Sequence, residues 1–411
     1  MSGNMSSSFE EKFEQAVKDG VFPGAILMAK DKSGIDRFPG RLDYAKVFGS
    51  TCIGDNAKPL QLNSILFLAS MTKLLTSIAA MQIIEKGLIS LDTDVGTYIP
   101  ELASQPILHG FDDNDKPILT ERKNAIKFVH LLTHSAGTAY DKGVPMLEKY
   151  RESIGNNPKD RTTMKNKCAY PLLFEPGTHW SYGTGIDWAG KVIEKLTNQS
   201  LQDYLQQNVF APFGINRIKF TPYLTEEIKK EAATIALRIP TGNLVNLPAR
   251  KNIDFEDAEC FGGHGCYADL TDYIKLLESL LLDDEKLLSK ASTAVMFSPH
   301  LTPESRKGIK QVFGMKEVVS LFVGKFPENV TYDWGIGGVL VDTGDDDHRK
   351  KGTMIWSGMP NNFWFVDREK GVCGLFGTQV YPPGDSQVGE MIDLFEREVY
   401  ARAGANGGAK L

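Results

Sequence analysis

The stretch Leu68-Ala69-Ser70-Met71-Thr72-Lys73-Leu74-Leu75-Thr76-Ser77-Ile78-Ala79-Ala80-Met81-Gln82-Ile83-Ile84 holds one charged residue, Lys73. From Leu74 to Ile84 the side chains are nearly all apolar or small and carry no turn signal. That pattern predicts a helix that is apolar most of the way round, and therefore a central, buried one. Gly87 predicts its end. Asn63 to Ala69 reads as extended, which puts Ser70 where strand gives way to helix. Lys73 follows one turn on, on the same face as Ser70. The partial positive charge of a helix N-terminus favours an alkoxide or oxyanion there. Burying an ammonium is costly unless it is paired, and a lysine held close to neutrality beside a serine hydroxyl is a general base. In the competing reading Lys73 snorkels to the surface while Ser70 merely caps the helix. The S-x-x-K spacing by itself is weak; the apolar setting is what makes it informative.

Outward from this helix, Phe9 to Lys18 reads as an amphipathic helix, and Ala25 to Met28 and Tyr44 to Phe48 as antiparallel strands, with a turn signal at Asp31-Lys32-Ser33-Gly34. From Pro100 to about Leu288 the chain reads mainly helical with loops. Helical segments are predicted at Ala125 to Thr133, Asp187 to Leu196, Leu201 to Val209 and Leu270 to Leu282. Strand character returns at Gly338 to Val341, Gly352 to Trp356, Asn362 to Val366 and Val372 to Thr378, with a hairpin turn at Asp367 to Gly371. A last amphipathic helix spans Gln387 to Ala401, before a small-residue tail, Ala403 to Leu411. Strands at both ends and helices in the middle predict an α+β fold: one antiparallel sheet flanked by helices, with a mostly helical domain inserted. The expected division is residues 1–99 plus 331–411 for the sheet domain and 100–330 for the insertion, with the site in the cleft between them.

The 411 residues are 42% hydrophobic and 24% charged with a net charge of −6, an ordinary globular composition without a basic footprint for nucleic acid or anionic membrane. No apolar run reaches a membrane span, and Met1 to Gln15 lacks the apolar core of a secretory signal, so a cytoplasmic, monomeric protein is the expectation. Cys52, Cys168, Cys260, Cys266 and Cys373 are odd in number and scattered. Cys260 and Cys266 fit neither C-x-x-C nor a zinc knuckle and read as small core residues. Asp345-Asp346-Asp347, flanked by Asp342 and His348-Arg349-Lys350-Lys351, reads as a solvated loop rather than a metal site. Gly335 to Gly338 lacks the strand-to-helix context of a dinucleotide site. No metal and no cofactor are expected.

Further stretches carry a resemblance: Phe22-Pro23-Gly24-Ala25, Leu68 to Thr76, Gly110-Phe111-Asp112-Asp113, His130-Leu131-Leu132-Thr133-His134, Asp187-Trp188-Ala189-Gly190-Lys191 and Cys260-Phe261-Gly262-Gly263. Together they make the chain resemble the serine β-lactamase and penicillin-binding-protein superfamily, in its class C-like esterase and transesterase branch. The resemblance implies Ser70 as nucleophile with Lys73. It aligns Trp180-Ser181-Tyr182-Gly183-Thr184-Gly185 with the family's tyrosine motif, which makes Tyr182 the partner base. Thr184 stands where β-lactamases have asparagine, so that amide contact is missing. Trp356-Ser357-Gly358 takes the place of the K-T-G motif, with the backbone N–H groups of Met359 and Ser70 implied as the oxyanion hole. Without the K-T-G lysine there is no cation for a substrate carboxylate, so neutral esters or thioesters are favoured over penicillins. Tyr140, Trp334 and Trp356 are candidates for the acyl or acceptor pocket. His134 lies in a stretch that is structural in the resembled family, and His264 is a weak catalytic candidate.

The implied function is acyl transfer from a thioester or ester donor to a small-molecule alcohol through acyl-Ser70, in specialised metabolism, with carrier-protein-bound acyl groups among the donors. The alternative is a hydrolase, a carboxylesterase before a lactamase, that releases the acyl group to water. A catalytically dead binding protein would not need Ser70, Lys73 and Tyr182 intact.

Overall fold

The structure, a computed structural model, describes residues 8–32, 42–155, 161–247, 257–343 and 348–406, with side chains to residue 403. The Ser33-Gly34 half of the first turn, the Asp345 to Asp347 run and the last residues of the tail lie outside the described residues.

Helix α1 (Phe9–Lys18) opens with a capping box between Ser8 and Glu11 and buries Phe13 and Ala16. Strands β1 (Gly24–Asp31) and β2 (Asp43–Gly49) pair antiparallel, Gly24 opposite Gly49 and Ala29 opposite Tyr44. After β3 (Ile65–Phe67) the chain makes one 3₁₀ turn, Ala69–Met71, before helix α2 (Thr72–Glu85). Every residue of α2 from Thr72 to Ile83 is buried, as its even apolar pattern requires, and Gly87 leaves the helix at φ 69°.

The middle of the chain is less uniformly helical than its composition predicts. It contains the hairpin β4 (Ile107–Phe111) and β5 (Pro117–Thr120), then β6 (Ile218–Phe220), β7 (Ala236–Arg238), β8 (Leu244–Asn246) and β9 (Cys266–Asp269). Strands of three to five residues are too short to show a two-residue period, which is why the sequence hides them. β9 pairs on either side with β3 and β6. The helix predicted from Ala125 shrinks to Phe128–Leu132, and that from Leu201 changes to a π-helical turn after Leu205.

The C-terminal strands are β10 (Thr331–Trp334), β11 (Val339–Thr343), β12 (Met354–Gly358), β13 (Asn362–Asp367), β14 (Val372–Gly377) and the short β15 (Val380–Tyr381). The main sheet runs β10-β11-β12-β13-β14-β1-β2, so strands from both ends of the chain meet at β14 and β1, Ile26 opposite Gly377. Successive residues of a strand face opposite sides. Phe376 points to α1 and the last helix, touching the rings of Phe13 and Phe395. A Cβ on Gly377 would meet Leu270 of helix Leu270–Leu282 at 2.2 Å. The sheet is thus covered by helices on both faces, the α+β arrangement that the distribution of strands predicts. Among the described residues no helix is long and apolar enough to cross a membrane.

Candidate active site

The turn before α2 is pinned from several directions. Asn362 Nδ2 donates to the Phe67 carbonyl at 2.8 Å, and Leu68 N–H donates to the Cys266 carbonyl at 2.9 Å. Tyr273 Oη donates to the Met71 carbonyl at 2.9 Å, and Cys266 N–H donates to Thr72 Oγ1 at 3.1 Å. Held this way, Ala69 adopts the left-handed region, φ 45°, at a cost of about 1–2 kcal/mol. That kink presents Ser70, which stays partly exposed between two buried neighbours.

Lys73 does not snorkel. It is fully buried, and Nζ donates to Ser70 Oγ at 3.3 Å, Tyr140 Oη at 3.0 Å and the Gly263 carbonyl at 2.8 Å. One turn further on, Thr76 Oγ1 donates to the Gly262 carbonyl at 2.7 Å. The face of α2 that carries Lys73 and Thr76 therefore abuts the Gly262-Gly263 backbone. Bulk is barred from that contact: a Cβ on Gly262 would lie 3.0 Å from the Thr76 side chain, and one on Gly263 2.3 Å from Asp187 Oδ2.

Tyr182 arrives from a tight crossing of two loops. A Cβ on Gly183 would fall 2.4 Å from Ala139 Cα, and one on Gly185 2.4 Å from the Leu131 carbonyl oxygen, so both glycines are needed for the approach. His134, left-handed at φ 59°, accepts the Gly183 N–H at Nδ1 and takes the Ser181 N–H on its carbonyl. Burial first, then the nearby Lys73, pushes its imidazole well below the usual histidine range, so it serves as a neutral acceptor that shapes the loop. The Tyr182 ring lies 4.7 Å from Lys73 Nζ. Its hydroxyl is shielded and has no hydrogen-bond partner among the described residues, and the same holds for Thr184 Oγ1. The hydroxyl that reaches Lys73 is that of Tyr140.

The end of β12 closes the other side. A Cβ on Gly358 would sit 2.2 Å from the Leu68 carbonyl oxygen, so only glycine lets this strand end lie against the Ser70 turn. Met359 follows and is partly buried. Trp356 is buried with its ring 5.0 Å from Tyr182 and 5.8 Å from Phe322. Trp334, fully buried, stands behind it at 4.8 Å and touches Tyr182 at 6.1 Å. Ser357 is buried on the same strand.

The sequence reading assigned no role to Asp187 or to the Gly263 carbonyl. Asp187 is fully buried at the start of helix Gly185–Thr197. Oδ1 accepts the Gly263 N–H at 2.8 Å and lies 3.3 Å from His264 Nδ1, while Oδ2 accepts from Tyr140 Oη at 3.2 Å. Burial pushes its carboxyl up, but His264, Lys73 and the Gly263 N–H outweigh that and hold it below the ordinary carboxylate value. Burial, with the Asp187 charge and Tyr182, pushes the Tyr140 hydroxyl far up, so it stays a phenol. The available signal was one acid in the otherwise apolar run Gly185 to Gly190.

Comparison with known proteins places the chain in a family. A family model described as Beta-lactamase matches residues 9–393. Monacolin J acid methylbutanoyltransferase of Aspergillus terreus is 33% identical over 399 residues, covering 96% of this chain and 95% of that protein. Lovastatin esterase of Penicillium rubens is 34% identical over 400 residues, covering 96% and 98%. The unliganded structure of simvastatin synthase from Aspergillus terreus superposes with a TM-score of 0.85 at 32% identity over 97% of this chain and 98% of that one. The chain belongs to the β-lactamase family and is an enzyme of the acyltransferase and esterase kind.

Proposed function

We propose that this member of the β-lactamase family transfers an acyl group from a thioester or ester donor to an alcohol through an acyl-Ser70 intermediate. The observation that carries the reading is Lys73 Nζ at 3.3 Å from Ser70 Oγ, in a fully buried position that an idle lysine would not occupy. In the first step Ser70 Oγ attacks the acyl carbonyl while its proton passes to Lys73 Nζ. The tetrahedral intermediate collapses, the C–S or C–O bond to the donor breaks, and the departing thiolate or alkoxide takes the proton. The acceptor alcohol then loses its proton to the same amine and attacks the acyl carbon; the acyl C–O bond to Ser70 breaks, and Ser70 Oγ takes the proton back from Lys73. Tyr182, with its ring against Lys73 and its hydroxyl uncommitted, is the second proton carrier in this scheme. The backbone N–H groups of Ser70 and Met359 form the oxyanion hole, each donor contributing about 3 kcal/mol to the transition state.

Trp356, Phe322 and Tyr182 offer the substrate an aromatic wall. That favours an uncharged apolar acyl group and an apolar alcohol acceptor of specialised metabolism, entering between the sheet unit (1–99 plus 331–411) and the insertion (100–330). Carrier-bound acyl groups are within the donor class, and we place the enzyme in the cytoplasm as a monomer. Hydrolysis is the second reading, favoured by the similarity to lovastatin esterase.

Intact-mass measurement tests the proposal. On incubation with an activated short-chain thioester the wild type gains one acyl mass and the Ser70→Ala variant none, and a candidate alcohol discharges the adduct faster than water. Absence of an adduct on the wild type refutes the reading, and an adduct on Ser70→Ala refutes the nucleophile. Discharge by water alone leaves the esterase.

A further inference from the structure

Asp187 is separated from Lys73 by one intermediary on each side, and both intermediaries are the groups on which Lys73 leans. Its Oδ2 accepts from Tyr140 Oη at 3.2 Å and its Oδ1 from the Gly263 N–H at 2.8 Å. Lys73 Nζ in turn lies 3.0 Å from Tyr140 Oη and 2.8 Å from the Gly263 carbonyl. Among the described residues, Ser70 Oγ at 3.3 Å completes the set around the amine. We propose that Asp187 is a positioning residue that fixes the direction of the Tyr140 proton and thereby aims the lone pair of neutral Lys73 at Ser70.

The argument is an inventory of protons and rests on the assignment of Ser70 and Lys73 made above. To accept the Ser70 proton, Lys73 must be a neutral amine with two N–H bonds and one lone pair. A backbone carbonyl only accepts, so Gly263 takes one N–H. A tyrosine hydroxyl both donates and accepts, and by itself Tyr140 would satisfy the amine in either sense. The Asp187 carboxylate only accepts, so it draws the single Tyr140 proton to itself and leaves Tyr140 Oη with lone pairs towards Nζ. The second N–H is then committed to Tyr140, and the lone pair has one direction left, towards Ser70 Oγ. After transfer the ammonium has three N–H bonds for the same three oxygens, so one arrangement serves both states. The push of the Asp187 carboxyl below its ordinary value and of the Tyr140 hydroxyl above its own accords with these two protonation states.

Asp187→Asn reverses the lock, because its amide nitrogen donates to Tyr140 and turns the phenolic proton towards Nζ. The test measures the rate of Ser70 acylation by a short-chain p-nitrophenyl ester from pH 5 to 10, for wild type, Asp187→Asn, Tyr140→Phe and the double variant, each checked for native near-UV circular dichroism. We expect each single variant to lower the pH-independent plateau of kcat/KM by roughly 10- to 100-fold, and the double variant to fall no further than Tyr140→Phe within about threefold. The charged or titratable groups facing Asp187 are Lys73, Tyr140, His134, His264 and Cys168, and loss of its charge alone would slide the pH profile along the axis with the plateau kept. That outcome, an unchanged plateau in Tyr140→Phe, or multiplicative losses in the double variant each overturn the proposal. If Asp187→Asn does not fold, the Tyr140→Phe plateau decides. Failure of the wild type to acylate refutes the function itself, a separate result.

Discussion

Gly358→Ala adds one methyl group where β12 meets the nucleophile turn. The new Cβ would stand 2.2 Å from the Leu68 carbonyl oxygen and 3.2 Å from its carbon, whereas ordinary van der Waals contact begins at 3.4 Å. Both sides of the contact are backbone, so no side chain can swing aside, and the strand end and the turn must part by roughly 1 Å. Gly358 is not in the left-handed region, so alanine brings no backbone strain of its own and the effect isolates the steric contact. The Leu68 carbonyl also accepts the Met71 N–H at 3.2 Å, so its movement loosens the turn that presents Ser70. A shift of about 1 Å between the Met359 and Ser70 N–H groups removes in effect one donor of the proposed oxyanion hole, which costs about 10²-fold or more in acylation. Overpacking adds about 1–3 kcal/mol of lost stability. The assay is stopped-flow release of p-nitrophenol with thermal denaturation alongside. Acylation within threefold of wild type in a folded Gly358→Ala variant would refute the reasoning, because it would show that the oxyanion hole does not depend on this contact.

Two other outcomes follow from side chains away from that contact. Thr184→Val should leave acylation within about threefold and stability equal to or slightly above wild type, since the buried Thr184 hydroxyl has no partner among the described residues to lose; a tenfold drop in kcat/KM would assign that hydroxyl a role. Burial pushes the Glu396 carboxyl up, but the Arg349 guanidinium, paired to both its oxygens at 2.7 Å, takes it down to about 2. Its folded value lies below the unfolded 4.5, so its contribution is complete above pH 4.5 and disappears as pH falls through about 2. The loss is about 3 kcal/mol. Urea denaturation between pH 6 and 2 should show that fall in wild type and a flatter, lower profile in Glu396→Gln.

Much of the fold was legible because its signals are local. The burial of α2 follows from a run with no polar face, and the ends of α1 and of helix Leu270–Leu282 coincide with capping serine and aspartate side chains. The short strands between residues 107 and 269 were not legible, since runs of three to five residues show no two-residue period, and β9 pairs with a distant segment, Ile65 opposite Asp269. Trp356 could be placed on a strand from its own neighbourhood, and Ser357 by the resemblance to the K-T-G motif. That Trp334 is sealed behind Trp356 could not, because only packing decides which of two aromatic rings lies in front.

The site divides the same way. Ser70 and Lys73 are three residues apart on a turn leading into one helix, so their meeting is determined by helical geometry and could be read from the sequence alone. Lys73's other partners lie 67 and 190 positions along the chain. The Gly263 end of that set fits because Gly262 and Gly263 leave room for the Thr76 and Asp187 side chains, which a Cβ at either position would meet. The sequence by itself determined that Ser70 and Lys73 meet at the start of a buried helix. Tertiary structure decided that Tyr140, not Tyr182, hydrogen-bonds the amine, and that a buried Asp187 stands behind it, since hydrogen bonds reach about 3 Å and only the folded chain sets such distances.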